Sequence, residues 1–275
     1  MQKRNYKISS IGPCTVDEYV TFNKKKPGGG GLNTLIHFRK ILPKAILYSL
    51  SAIGKDENSE IILNFLKNNT ILTTSLHSLI GNTSVQHIKN LPSGEKVFFN
   101  YKAGVLETAK PTSSDFKLLK SQDLILGVLF TQVEHFVKEI IRKKWKGIVG
   151  IDFVNLSDYK YKTDIIEKYI DNFNIGFFGL NHNQKQLIKK LSSIAKEHNK
   201  LFVITLAEKG SIAFEGKNKY QQKAIPVNKI VDTTGAGDAY ISAFLSEYLK
   251  SKNIQKSLYE GVVYAAKIIQ KYGAN

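Results

Sequence analysis

One cysteine, Cys14, is all the chain holds, so it forms no internal disulfide and offers no Cys-rich zinc site. That usage suits a reducing compartment, and the expected location is the cytoplasm. Long apolar runs are missing too. The stretch Asp123-Leu-Ile-Leu-Gly-Val-Leu-Phe130 is among the longest, and it falls far short of the roughly 20 residues that cross a bilayer as a helix. The opening Met1-Gln-Lys-Arg-Asn-Tyr-Lys7 is polar and basic and has no apolar h-region of a secretion signal. No membrane partner is expected. No Pro/Gly/Ser-rich linker, charge block or fixed-period repeat divides the 275 residues, which predicts one domain over 1–275. The six histidines show no paired helical spacing that would imply zinc. No Gly-x-Ser-x-Gly elbow is present, and Cys14 has no histidine nearby in sequence, so hydrolase readings lack support.

Acidic residues are scarce. Asp and Glu total 23 against 40 Lys and Arg, a formal net charge of +17. Such a balance raises the question of nucleic acid, but the lysines are spread over almost every segment and no recognition helix or base-stacking motif accompanies them. Solvated lysine faces with a general pull on anionic small molecules are the expectation, with no nucleic-acid partner.

What is present is alternation. Apolar, β-rich runs at Lys44–Leu50, Asp123–Val128, Gly147–Ile151, Ile175–Phe178 and Leu201–Thr205 are interleaved with helical stripes. Such stripes lie over Glu60–Leu66, through Val133, Phe136, Val137, Ile140 and Ile141, near Lys162–Tyr169, and through Leu187, Ile188, Leu191 and Ile194. This pattern predicts βαβ units around a mostly parallel sheet. One stretch departs from it: Thr83–Lys89, Leu91-Pro-Ser-Gly-Glu95 and Lys96–Tyr101 read as strand, turn, strand. An inserted hairpin of this kind covers a site as a lid or pairs with another subunit; an added edge of the main sheet fits the pattern equally.

The strongest motif is Asp232-Thr-Thr-Gly-Ala-Gly-Asp238, followed by an apolar helical run from Ala239 to Leu249. Gly235, Ala236 and Gly237 let the backbone turn tightly and aim N–H groups at an anion, with a helix's positive end behind them. A carboxylate just beyond, at Asp238, would repel that anion unless it takes a proton from the group attacking it. Phosphoryl transfer needs both parts. The blander alternative is that Asp232 or Thr233 caps the helix and the glycines form its first turn.

The full string resembles the C-terminal signature of the PfkB, or ribokinase-like, carbohydrate kinases. Other landmarks extend the resemblance along nearly the whole chain. Gly28-Gly-Gly-Gly-Leu-Asn33 resembles the glycine pair and asparagine that shape the sugar site. Ile11-Gly-Pro-Cys-Thr-Val-Asp17 is similar to a first strand ending in a substrate-binding aspartate, and Val203-Ile-Thr-Leu-Ala-Glu-Lys-Gly210 to the strand and loop that contact the nucleotide. The resemblance implies a three-layer ribokinase-like α/β sandwich with a small β-hairpin lid, lid segments lying near 13–26 and 83–103. It implies acceptor binding by Asp17, Gly28, Gly29 and Asn33, and catalysis by Asp238 with Gly235, Ala236 and Gly237. ATP would lie against Thr205, Ala207, Glu208, Gly210 and Asn181, and Mg2+ would arrive with it. K+ would bind at Asp232 and Thr234, where helix capping is an alternative explanation. A carboxylate such as Asp17 can accept two polyol hydroxyls, and the Asn33 amide can donate and accept; outside the resemblance, Asp17 reads as a turn residue and Asn33 as an N-cap. The run Gly28–Gly31 lacks the Gly-Lys-Ser/Thr ending of a Walker loop.

Asn100–Val105, Ile151–Val154 and Ala265–Ala274 resemble the fructoselysine 6-kinase, or fructosamine kinase, branch. There are departures. Asn181-His-Asn-Gln184 places an amide where the family often has a glutamate, Ala207 stands where many members have glycine, and Ser59 ends the Gly54-x-Asp56-x-x pattern in place of glycine. The expected activity is ATP-dependent phosphorylation of a sugar or sugar-amine hydroxyl, by a homodimer paired through its lid edges. Another ribokinase-like sugar or nucleoside kinase and a non-catalytic sugar-binding regulator are the alternatives.

Overall fold

A computed structural model of the chain describes residues 5–90 and 96–274. The predicted turn at Leu91–Glu95 lies outside them. In chain order the strands and α-helices are β1 (Lys7–Ile11), β2 (Thr15–Tyr19), β3 (Lys24–Gly28), α1 (Gly30–Ile41), β4 (Ile46–Ile53), α2 (Glu57–Asn68), β5 (Leu72–Ser78), β6 (Val85–Asn90) and β7 (Lys96–Lys102). They continue as α3 (Ser113–Leu119), β8 (Leu124–Val128), α4 (Glu134–Ile141), β9 (Ile148–Asp152), α5 (Asp164–Tyr169), β10 (Ile175–Gly179), α6 (Lys185–Glu197) and β11 (Leu201–Thr205). The hairpin β12 (Ser211–Glu215) and β13 (Asn218–Gln222) and the helices α7 (Ala236–Ser251) and α8 (Ile254–Ile268) complete the described chain.

Nine strands form the main sheet in the order β13-β12-β11-β10-β9-β8-β1-β4-β5. From β11 to β5 the pairing is parallel, and β12 and β13 add an antiparallel edge. Strands covered on both faces need apolar side chains on both, and successive residues divide accordingly. On β11, Phe202 and Ile204 join the core under α3–α6, while Leu201 and Val203 join the core under α1, α2, α7 and α8. On β8, Ile125 and the pair Leu124 and Leu126 divide in the same way. The result is a mostly parallel sheet with helices on both faces, as the alternation predicts, in the three-layer α/β sandwich that the resemblance implies. Among the described residues no helix is long and apolar enough to cross a membrane.

A second sheet, in the order β3-β2-β6-β7, stands apart from the main one. The sequence reading anticipated only its β6–β7 hairpin as regular structure. Asp17 does not end the first strand: β1 stops at Ile11, and Asp17 lies inside β2 of this smaller sheet. The reason is local. Pro13 has no N–H for a central ladder, and Gly12 (φ +150) turns the chain out of the main sheet there. Registers Asp17↔Lys26, Tyr19↔Lys24 and Asp17↔Gln86 place these side chains on one face of the smaller sheet.

Candidate active site

Parallel sheets open binding crevices at the carboxyl ends of their strands, where the strand order reverses. Here that place lies between β1 and β8, since the chain runs from β1 outward through β4 and β5 on one side and from β8 outward through β9 to β11 on the other. A cavity of about 1560 Å3 opens there, lined by Pro13 after β1, Phe130 after β8, Asp152 at the end of β9, and the inner face of the smaller sheet. Single drug-sized ligands occupy about 300–1,000 Å3, so the space suits two reactants.

The N-termini of α1 and α7 meet on this cavity. Asn33, in the first turns of α1, donates from Nδ2 to Asp238 Oδ2 at 2.9 Å, and Ser242 Oγ of α7 donates to Thr34 O at 3.1 Å, keeping the helices in step. Both positive helix ends are therefore directed at one place. Asn33 is not an N-cap: Gly29 (φ +91) precedes α1, and its conformation together with the close approach of Pro13 O excludes a side chain. Gly28 is needed because the Asp17 carboxyl rests against it, where a Cβ would stand.

Gly235 begins α7 in the left-handed region at φ +74, with Ala274 atoms 2.7–2.8 Å from where a Cβ would project. Neither Asp232 nor Thr233 caps α7. Asp232 Oδ1 instead accepts Thr234 N–H at 2.9 Å, and Oδ2 accepts Gly273 N–H at 2.9 Å, so the carboxylate shapes the turn before the helix. Ala236 N–H donates to Thr233 O at 3.2 Å, whereas Gly235 and Gly237 N–H have no partner among the described residues. A Cβ at Gly237 would meet nothing within 4 Å. No neighbouring side chain or backbone demands that glycine.

Five carboxylates line the cavity, Asp17, Asp152, Asp158, Asp232 and Asp238. Burial pushes Asp238 up to about 7; the Asn33 hydrogen bond opposes the rise, and the charges of Asp152 and Asp17 add to it. Burial likewise raises Asp17 to about 6, against a hydrogen bond from Thr15 and the charge of Lys96, and raises Asp152 to about 6, against Val154 N–H. Asp232 goes the other way. Burial would raise it, but hydrogen bonds from Lys96, Thr234 and Gly273 hold it down at about 2. Asn33 Oδ1 and Tyr101 Oη are buried and unpaired in this site.

The cavity thus brings together Asp17, Gly29, Asn33, Asp232, Thr234, Gly235 and Asp238, with Gly28, Ala236 and Gly237 beside them in sequence. Asn181, Thr205, Ala207, Glu208 and Gly210 are not among its walls; they follow β10 and β11 along the same edge of the main sheet. There Leu180 N–H bonds Thr205 O at 2.9 Å, Gln184 Oε1 accepts Asn181 N–H at 2.8 Å, and Glu208 Oε1 lies 3.7 Å from His182 Nδ1. Ala207 (φ +46) and Gly210 (φ +90) form the turn after β11. Sequence reasoning missed Asp152 and Lys96. A carboxylate at the end of a parallel strand was the available signal for Asp152; none marked Lys96.

Residues 174–275 match the family described as pfkB family carbohydrate kinase. The chain is 24% identical over 269 residues to fructoselysine 6-kinase of Escherichia coli, covering 97% of this chain and 98% of that one. It is 26% identical over 285 residues to ribokinase of Lactococcus lactis, covering 98% and 92%. Ribokinase of Arabidopsis thaliana, solved with ribose and ATP, superposes with a TM-score of 0.79 at 19% identity over 98% of this chain and 95% of that one. A nucleoside kinase of Methanocaldococcus jannaschii does so with 0.78 at 20%, over 98% and 93%. The fold is ribokinase-like, and the chain is similar over residues 174–275 to the pfkB family of carbohydrate kinases and along nearly its whole length to sugar kinases at about a quarter identity.

Proposed function

We propose that the chain transfers the γ-phosphoryl group of ATP to a hydroxyl of a sugar-amine, fructoselysine being the first candidate and fructoselysine 6-phosphate its product. The observation that carries the reading is Asp238: a half-buried carboxylate with its pKa near 7, hydrogen-bonded to Asn33 where two helix N-termini converge. A base poised near neutrality, next to dipoles that stabilise an anion, is what transfer to an alcohol requires.

In this reading the acceptor lies between the smaller sheet and α1. Asp17 accepts its hydroxyls, Asn33 Oδ1 and Tyr101 Oη supply the unpaired polar atoms that meet others, and Gly28 and Gly29 let it approach the backbone. Asp238 takes the proton of the attacking hydroxyl as the new O–P bond forms and the bond to the ADP oxygen breaks. Gly235 and Gly237 N–H stabilise the migrating group, and Ala236 mainly holds the turn. ATP extends from there along the carboxyl edge past Asn181, Thr205, Ala207, Glu208 and Gly210. Magnesium, when bound, neutralises phosphate oxygens. Among the described residues no three His, Cys, Asp or Glu side chains form a group that could hold a metal ion; a single carboxylate such as Asp152 suits a hydrated ion carried by the nucleotide.

The smaller sheet, β3-β2-β6-β7, acts as the lid of a single domain, in the place of the lid segments expected near 13–26 and 83–103. Its outer strands are β3 and β7, and β7 exposes Val97, Phe98 and Phe99. Pairing there with a second chain gives a homodimer, which a monomer in solution scattering would exclude.

ADP release from MgATP, measured across fructoselysine, other fructosamines, fructose, ribose and nucleosides, tests the acceptor. Turnover highest on fructosamines supports the proposal. Turnover highest on ribose would favour the free-sugar reading that the ribokinase relative suggests, and binding without turnover would favour a regulator.

A further inference from the structure

The turn to which the resemblance assigns a monovalent cation already holds a cation of the protein's own. Lys96, the first residue of β7, brings its ammonium group to 2.6 Å from Asp232 Oδ2 and 2.9 Å from Thr234 Oγ1. The two charged side chains are 14% and 3% exposed, and the Tyr19 ring lies 5.3 Å from Lys96 Nζ. The remaining hydrogen bonds to Asp232 come from Thr234 and Gly273 N–H groups. A potassium ion bridging the same carboxylate and hydroxyl would have to displace the ammonium group and then sit beside a like charge. The residues present do not fit a resident potassium ion.

We propose that Lys96 is a tethered substitute for that ion and a positioning residue for phosphoryl transfer, a proposal that rests on the kinase reading above. A carboxylate as buried as Asp232 needs a positive partner to stay charged and rigid. With that partner in place, Asp232 holds Thr234 N–H and fixes the turn that presents Gly235. The partner comes from the smaller sheet, whereas Asp232 and Thr234 belong to the segment leading into α7. The ion pair therefore forms only with that sheet down over the cavity. Asp17 lies on the same sheet and the same face, so an acceptor that engages Asp17 also favours the position in which Lys96 completes the turn. Acceptor binding and the shaping of the anion site are one event, a form of induced fit that guards ATP against hydrolysis by water.

The test compares wild type, Lys96→Met and Lys96→Arg in potassium, sodium and tetramethylammonium chlorides at one ionic strength. Wild-type kcat is expected to agree within about twofold across the salts once screening is equal. Lys96→Met should lose at least about tenfold in kcat with a smaller change in the acceptor KM, the pattern of a lost transition-state interaction. Potassium should restore part of that loss and the bulky tetramethylammonium should not; Lys96→Arg should keep part of the rate. Melting temperatures in the same salts, without substrates, give a readout independent of turnover: potassium should raise that of Lys96→Met and leave wild type unmoved. A wild-type protein that needs potassium for turnover or for stability overturns the proposal, as does a Lys96→Met variant with undiminished kcat. Should Lys96→Met fail to fold, the wild-type salt comparison still decides. If wild type phosphorylates no acceptor, the kinase reading fails while the melting comparison still judges Lys96.

Discussion

Replacing Asp238 with asparagine should destroy turnover and stabilise the protein, and the two effects have one origin. The folded chain holds the Asp238 proton up to about pH 7, against an ordinary value of 3.8, so between those values the folded state binds more protons than the unfolded one. Stability from this group is full below about pH 4 and is lost as the pH rises toward 7. At about 1.4 kcal/mol per pH unit, a dry site would forfeit roughly 4 kcal/mol by pH 8; solvent in the open cleft lowers the expectation to about 1–3 kcal/mol. Asparagine keeps the shape and can still accept from Asn33 Nδ2, but carries no charge beside Asp17 and Asp152. Asp238→Asn should therefore melt about 2–6 °C above wild type at pH 8, with little difference near pH 4. Differential scanning calorimetry at the two pH values measures this directly. A variant that melts no higher than wild type at pH 8, or gains equally at pH 4, refutes the raised pKa and with it the argument for a base poised near neutrality.

Other expectations follow from the same geometry. Asn33→Ala removes the hydrogen bond that restrains the Asp238 pKa, so the alkaline-rising limb of kcat/KM should move above pH 7, whereas Asp17→Asn removes a repelling charge and should move it lower; both should raise the acceptor KM. Gly237→Ala adds a methyl group that meets no protein atom within 4 Å, so its melting temperature should stay near that of wild type while kcat falls by about tenfold or more from steric conflict with the transferring group.

The main sheet was legible because buried parallel strands must be apolar on both faces, so runs such as Leu201–Thr205 and Ile175–Phe178 stand out against amphipathic helices. The place of Asp238 was legible because the string Asp232–Asp238 is seven consecutive residues that fold as one turn and helix start. Asp17 was read as a ligand but misplaced, since the departure of the chain at Gly12 and Pro13 leaves an apolar pattern little different from a continuing strand. The Lys96 to Asp232 pair spans 136 positions, and a lysine among so many carries no local mark of burial. The residues to which the resemblance assigns the nucleotide are the converse case: recognisable as a string, they lie outside the cavity walls and follow the sheet edge beyond Val154, whose carbonyl accepts Gly179 N–H at 2.6 Å.

The central claim is that Asp238 activates an acceptor hydroxyl for attack on ATP. Single-turnover transfer of the labelled γ-phosphoryl group, with both substrates saturating, isolates that step from binding and product release. The account predicts that Asp238→Asn binds ATP and acceptor within a few-fold of wild type while transfer slows by at least about 10²-fold, the scale of general-base catalysis. Transfer at the wild-type rate in Asp238→Asn, with both ligands bound, would contradict it.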